Sequence, residues 1–247
     1  MAIQRITVLG VPVDILQPQN LENEILELLV MSGTKQIVFL SVWDLLRARG
    51  NNEFAQCVRN ADLVLPVSKS IIRGAKFLHK PVPVRYNPFS TVINIFNILE
   101  NHLKTLYLLG GRKKVLTEAE NNLHLTFKRL QIVGRYVGYY PKSEEDGIIE
   151  AIKKASPSLV LVSEGIRDKD VWSYERRDRF SNSIFLYYHD ALGIFSERIQ
   201  RVSEKKFNKG REIFSEIQRN PIKIFLLFPF IWYIISLVWE KLFRKDK

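Results

Sequence analysis

Six apolar runs of strand length recur along this chain at regular distances, and that recurrence limits the fold more than any other feature. They are Ile37 to Val42, Leu63 to Val67, Thr105 to Leu109, Ile132 to Tyr136, Leu159 to Val162 and Ile184 to Tyr188. Segments with helical spacing of apolar residues lie between them: Leu21 to Val30 behind Asn20 as a candidate N-cap, Thr91 to Leu103, Val115 to Leu130, and Glu144 to Ala155 behind Ser143. Strands that alternate with helices of this length make βαβ units. The expected fold is therefore α/β: a Rossmann-like, mostly parallel sheet with helices on both faces.

The pattern stops near Ser196, which divides the chain into a core over residues 1–196 and an appendage over 197–247. The appendage starts basic and amphipathic, and residues 197–247 carry 12 Lys/Arg against 6 Asp/Glu, hence +6 of the formal net charge of +11. That excess favours anionic partners: phosphorylated small molecules, nucleic acid or an anionic membrane surface. Behind Pro221 comes an apolar run, Ile224 to Trp239, in which only Ser236 is polar and Pro229 sits in the middle. As a helix it would reach roughly 24 Å, short of the ~30 Å hydrocarbon core. Basic residues flank both ends, and Trp232, Tyr233 and Trp239 suit an interfacial depth. The run is expected to lie in or dip into the inner leaflet; a short span and a helix packed against the core are the alternatives. Pro12 and Asp14 interrupt the opening apolar run, so no signal peptide is expected. Cys57 is the only cysteine, which excludes an intramolecular disulfide and a cysteine-based zinc site and suits the cytoplasm.

Chemistry in such a fold belongs at the carboxyl ends of the strands. Gly110 and Gly111, followed by Arg112, Lys113 and Lys114, join a strand to a helix, where a phosphate or sugar could approach the backbone or where a tight turn is simply needed. Gly138-Tyr139-Tyr140-Pro141 reads as a turn or as one wall of a sugar or base pocket. Glu164-Gly165-Ile166-Arg167-Asp168-Lys169-Asp170 clusters acids and bases after a strand, either for acid/base work or as a solvated helix start. His189 and Asp190 are neighbours whose side chains diverge, a poor basis for a dyad. His79, His102 and His124 are scattered and suggest no metal site.

Taken together, these positions resemble the WecG/TagA/CpsF family of bacterial glycosyltransferases. The likeness runs through Gly10-Val11-Pro12-Val13-Asp14 (family GVPVD), Ala61-Asp62-Leu63-Val64-Leu65-Pro66 (ADLVxPDG), Leu108-Leu109-Gly110-Gly111 (LLGG), Val137-Gly138-Tyr139-Tyr140 (HGYF), Asp170 with Trp172 (PKQExW), and Glu212 with Pro221. The resemblance implies transfer of an N-acetylhexosamine-type sugar from a UDP donor to a polyprenyl-diphosphate-linked acceptor at the inner face of the cytoplasmic membrane. It implies a direct displacement with inversion, without metal or cofactor; a homo-oligomer is compatible with it. Nucleic acid is not expected as a partner, because the basic charge concentrates beside the apolar tail rather than along an aromatic-studded groove. Arg85, Gly110, Gly111, Tyr139, Gly165, Arg201, Lys209 and Arg211 are the expected substrate-binding residues.

Several family positions differ here. The family's Asp after the strand proline, its general base, is Val67; its Thr and Asn on the preceding strand are Phe39 and Ser41; the Gln of PKQE is Lys169 and its Glu is Asp170; its later Asp is Gly193. Asp62 lies about four residues upstream of Val67, roughly 13 Å along a strand, and cannot replace the missing base. A surviving acid must come from another loop. Asp170 is the expected catalytic residue, with Glu164 and Asp190 as alternatives. The competing expectation is a catalytically inactive relative, a membrane-bound regulatory or scaffold subunit.

Overall fold

The structure is a computed structural model that describes residues 3–209 and 227–243. The chain opens on an antiparallel hairpin, β1 (Gln4–Val8) and β2 (Val11–Ile15), then builds one six-stranded sheet. Its strands are β3 (Lys35–Leu40), β4 (Leu63–Pro66), β5 (Thr105–Leu109), β6 (Gln131–Tyr136), β7 (Leu159–Val162) and β8 (Ile184–Tyr187), in the order β4-β3-β8-β7-β5-β6. Every neighbouring pair is parallel. Leu40 pairs with Pro66, Val162 with Tyr187, and Leu109 with both Val162 and Tyr136, so the carboxyl ends emerge along a single rim.

Successive strand side chains point to opposite faces, and except at the edge strand β6, where every second residue is exposed, both faces are covered, which is why these runs are so apolar. One face, with Ile37, Leu65, Leu108, Leu161 and Leu186, packs under α1 (Leu21–Val30), α5 (Pro88–Asn101), α6 (Lys113–Thr126) and α9 (Ala191–Phe195). On the other, Val38, Leu40 and Val64 lie under α2 (Val42–Ala48), α3 (Glu53–Asn60) and α4 (Lys69–Phe77). Leu109, Val160, Val162 and Phe185 on the same side lie under α7 (Glu145–Ala155) and Trp172 of α8 (Asp170–Glu175). The doubly wound α/β fold expected from the sequence is thus present.

Two expected helix starts differ. Pro18–Asn20 form a 3-10 turn that leads into α1, and the Asn20 side chain makes no capping bond. Lys142–Glu144 do the same before α7, so Ser143 precedes a 3-10 turn and α7 has no side-chain cap. In both places the turn ends in helical backbone and runs on into the helix, so no extended cap residue exists. By contrast Ser41 and Asp44 form a reciprocal capping box on α2, and Asn52 caps α3.

The hairpin explains Asp14. Its carboxylate is 1% exposed; it accepts from Arg5 Nε at 2.6 Å and Nη2 at 2.8 Å, and from the Val64 N–H at 2.6 Å. Val64 is on the edge strand β4, so Asp14 occupies a donor that would otherwise be left unpaired beneath β2. Replacing Asp14 with alanine strands that N–H and the part-buried Arg5. Denaturant unfolding should show a loss of about 2 to 3 kcal/mol.

Two described stretches that follow Ser196 pack on the preceding elements. In α10 (Glu204–Lys209), the main-chain carbonyls of Phe207 and Asn208 accept from Arg85 and Lys69 at the carboxyl end of β4. The long helix α11 (Leu227–Phe243) runs beside α4: Tyr233 Oη donates to the Ser70 carbonyl at 2.8 Å, and Arg49 Nη1 to Ser236 Oγ at 2.7 Å. Lys80 pairs with Glu240 at 3.1 Å. Gly74 makes room for this contact, since a Cβ there would come within 2.3 Å of Tyr233 Oη. Tyr233 and Leu237 are buried, whereas Phe228, Ile231, Trp232, Ile235, Trp239 and Leu242 face outward. Among the described residues no helix is long and apolar enough to cross a membrane.

Candidate active site

Main-chain hydrogen bonds lace together the loops after β5, β6 and β7. Gly110 N–H donates to the Tyr136 carbonyl, Gly111 to Glu164, Gly138 to Gly111 and Tyr139 to Gly165, at 2.8 to 3.0 Å. Glycine is required because the three backbones touch. A Cβ on Gly110 would lie 2.9 Å from the Ser163 carbonyl carbon, and one on Gly138 2.6 Å from the Glu164 oxygen. Gly110, Gly111 and Gly165 also hold positive φ of 135°, 67° and 87°. Four of the expected residues, Gly110, Gly111, Tyr139 and Gly165, therefore meet at one place. The two glycine N–H groups of the β5 loop are, however, engaged inside the lacing rather than offered to a phosphate.

Tyr139 is held at φ 57°, 60% exposed, with the Arg112 guanidinium 5.6 Å from its ring centre. It helps line a groove of about 370 Å³ together with Tyr140, Gly165, Ile166 and Arg167. A second groove of about 250 Å³, across Tyr140, is lined by Lys142, Glu145, Arg167, Asp168, Trp172 and Arg176 among others. Here Trp172 Nε1 donates to Glu145 at 2.9 Å, and Arg176 pairs with Glu145 at 3.0 Å. An aromatic wall, flanking guanidinium groups and a nearby carboxylate suit a nucleotide and a sugar. Arg112 and Arg167 are the residues that the sequence reading passed over, although both stand in the loops it singled out. A further groove of about 930 Å³ lies on the hairpin and α1 and is not part of this rim.

The β4 side of the rim is built differently. Arg85 Nε donates to the Val67 carbonyl at 2.8 Å and Nη1 to the Phe207 carbonyl at 2.7 Å, with the guanidinium 3.5 Å from the centre of the Phe207 ring. Burial lowers its pKa to about 10. Nearby, Phe39 packs edge-on to Tyr188, and Phe89 tilts against Phe195. Phe39, where the resemblance places a family threonine, is thus part of aromatic packing. A Cβ on Gly193 would lie 2.4 Å from Ile199 Cδ1, so any side chain there would have to displace Ile199. Lys209 and Arg201 are exposed near this end of the chain; Arg211 lies outside the described residues.

Asp170 is not on the rim surface. It is 7% exposed, the first residue of α8, facing the Gln36 amide of β3. Burial, reinforced by the Asp44 carboxylate, pushes its pKa up to about 8. A carboxyl placed there is protonated near neutrality and lies beneath the groove loop, so the geometry gives it no base's position. Just before it, Asp168 and Lys169 hold φ of 61° and 53°. Left-handed backbone costs these side chains about 1 to 2 kcal/mol each, so the surrounding packing must impose it. The other two carboxylates considered remain at strand ends. Glu164 is half-buried within the lacing, and Asp190 is half-exposed beside His189, whose Nδ1 meets Tyr187 Oη at 3.1 Å.

A parallel doubly wound sheet with grooves on the loops at its carboxyl rim is the architecture of a ligand-binding α/β protein. The family described as Glycosyl transferase WecG/TagA/CpsF family matches residues 6–247, nearly the whole sequence, and the chain belongs to it. It is also similar to the N-acetylglucosaminyldiphosphoundecaprenol N-acetyl-beta-D-mannosaminyltransferase of Bacillus spizizenii, 20% identical over 154 residues. That match covers 62% of this chain and 59% of the relative.

Proposed function

We propose that this protein transfers an N-acetylhexosamine-type sugar from a UDP donor to a polyprenyl-diphosphate-linked acceptor in cell-surface polysaccharide synthesis. The observation that carries the reading is the lacing of the β5, β6 and β7 loops, which sets Tyr139 and Arg167 along one groove. The uridine would lie against Tyr139, with Arg112 and Arg167 close to the diphosphate. The acceptor hydroxyl attacks the anomeric carbon, the bond to UDP breaks, and the hydroxyl proton passes to a carboxylate. Of the three candidates, Glu164 takes that role best, because it is neither buried like Asp170 nor turned toward a histidine like Asp190. The outward apolar face of α11, with Trp232 and Trp239, would rest on the inner face of the cytoplasmic membrane, and Arg201, Lys209 and Arg211 would serve the anionic lipid. Family membership and the similarity to a transferase of this type support the reading.

A second reading, a non-catalytic membrane-bound subunit, is favoured by one observation. Arg85, the family position kept on the β4 side, is tied to two main-chain carbonyls and stacked on Phe207. Acceptor-dependent UDP release from UDP-N-acetylhexosamines, with a polyprenyl-diphosphate-N-acetylglucosamine acceptor, separates the two. Turnover that falls about 10²-fold or more in Glu164→Gln is expected for the transferase. Nucleotide binding without release would establish the subunit.

A further inference from the structure

Gln36 lies inside β3, away from both grooves, in a buried polar group that the proposed chemistry does not use. Its N–H donates to Asp62 Oδ2 at 2.8 Å, and its Oε1 accepts from Ser173 Oγ at 2.8 Å. Its Nε2 faces the Asp170 carboxyl without closing a bond: Gln36 Nε2 and Asp170 Oδ1 are both buried and have no hydrogen-bond partner. Ser173 Oγ also lies 3.0 Å from the Asp170 carbonyl, and Cys57 Sγ of α3 lies 3.6 Å from it. The first turn of α8 is thereby pinned to β3 and α3 at one point. That point is the end of the 165–169 loop, where Gly165, Asp168 and Lys169 are left-handed and Arg167 lines both grooves.

We propose that Gln36 is a positioning residue: through Ser173 it clasps α8 to β3 beside the neutral Asp170 carboxyl, holds the 165–169 loop as the wall of both grooves, and loses that hold when the Asp170 carboxyl ionises. The groups facing that carboxyl explain the release. Asp44 from α2 is an anion, Cys57 from α3 and Tyr187 from β8 are buried acids kept neutral, and Lys169, on the same loop, is exposed. A carboxylate there would be a buried charge with only the exposed Lys169 as a nearby cation, and such a group is driven toward water. Rotating the first turn of α8 outward meets that need and relaxes the left-handed residues next to it. The mechanism is indifferent to which ligand occupies the grooves.

Hydrogen exchange on the full chain, corrected for intrinsic rates between about pH 6 and 9.5, tests this, with residues 148–152 of α7 reporting any global unfolding. Protection over residues 165–173 should fall at least about tenfold as pH rises past neutrality while α7 stays protected. Asp170→Asn should stay protected throughout. Asp44→Asn should move the fall to lower pH, because one repelling charge is gone. Gln36→Leu should weaken protection at pH 6 and move the fall upward, because its amide no longer favours the anion; a merely structural glutamine would leave the midpoint in place. The proposal is overturned if the wild-type loop shows no pH-dependent fall. It is equally overturned if Asp170→Asn falls like the wild type, or if Gln36→Leu keeps the wild-type midpoint. Where a variant does not fold, the wild-type profile still decides.

Discussion

Gly138→Ala is expected to lower the unfolding free energy by about 1 to 3 kcal/mol and to weaken nucleotide binding at least about tenfold. The new Cβ would sit 2.6 Å from the Glu164 carbonyl oxygen and 3.0 Å from Gly165 Cα. Both are main-chain atoms of another loop, so no side chain can swing away to relieve the contact. Relief must come from pulling the β6 loop off the β7 loop, which stretches the bonds from Gly138 to Gly111 and from Tyr139 to Gly165. Tyr139 then leaves its place over the groove. Gly147→Ala is the internal control: it lies in α7 with nothing within 4 Å of the new Cβ, and alanine there should stabilise by about 0.5 to 1 kcal/mol. Denaturant unfolding of the two variants should therefore give opposite signs.

Asp170→Asn is expected to change the pH dependence of stability more than any other single substitution. The folded carboxyl titrates at about 8 against an ordinary 3.8. Between those values the unfolded chain has released a proton that the folded chain still holds, so the slope of unfolding free energy with pH is negative. The contribution is fully present below about pH 4, is lost progressively as pH rises, and is gone by about pH 8. The whole span is on the order of 5 kcal/mol at 1.36 kcal/mol per unit. The difference in unfolding free energy between wild type and Asp170→Asn, measured from pH 4 to 9, should trace that decline and then flatten. A difference that stays constant with pH would mean that the carboxyl ionises normally in the folded protein.

The core of this fold can be read from the sequence because its strands, the edge strand β6 apart, are buried on both faces. Ile37, Leu63, Leu106 and Leu159 belong to unbroken apolar runs that no exposed strand would need. The hairpin is less visible: β1 and β2 are short, and what joins them to the sheet is Asp14, whose contact with Val64 lies 50 positions away. The rim is legible where loops of neighbouring strands meet, and Gly110, Gly111, Tyr139 and Gly165 converge for that reason. Asp170 shows the opposite case. As one of several charged residues in a row it looks solvated, and only the packing of α8 against Gln36 and Cys57 makes it a buried acid. Arg85 is similar: its partner Phe207 is 122 positions further on, in a segment whose composition suggested lipid and phosphate rather than an aromatic ring. Of the run Ile224–Trp239, the part described in α11 packs one stripe, with Tyr233 and Leu237, on α4, which is the helix-against-core alternative, while Trp232 and Trp239 face outward.

The central claim is that the laced loops receive a UDP-sugar over Tyr139. Calorimetric titration of the full-length, detergent-solubilised protein with UDP-N-acetylglucosamine and UDP-N-acetylmannosamine tests it most directly, with Tyr139→Ala beside the wild type. Saturable binding with a one-to-one stoichiometry, weakened about tenfold or more in Tyr139→Ala, is the expected result. Absence of heat at millimolar nucleotide, or equal affinity in the two proteins, would contradict it.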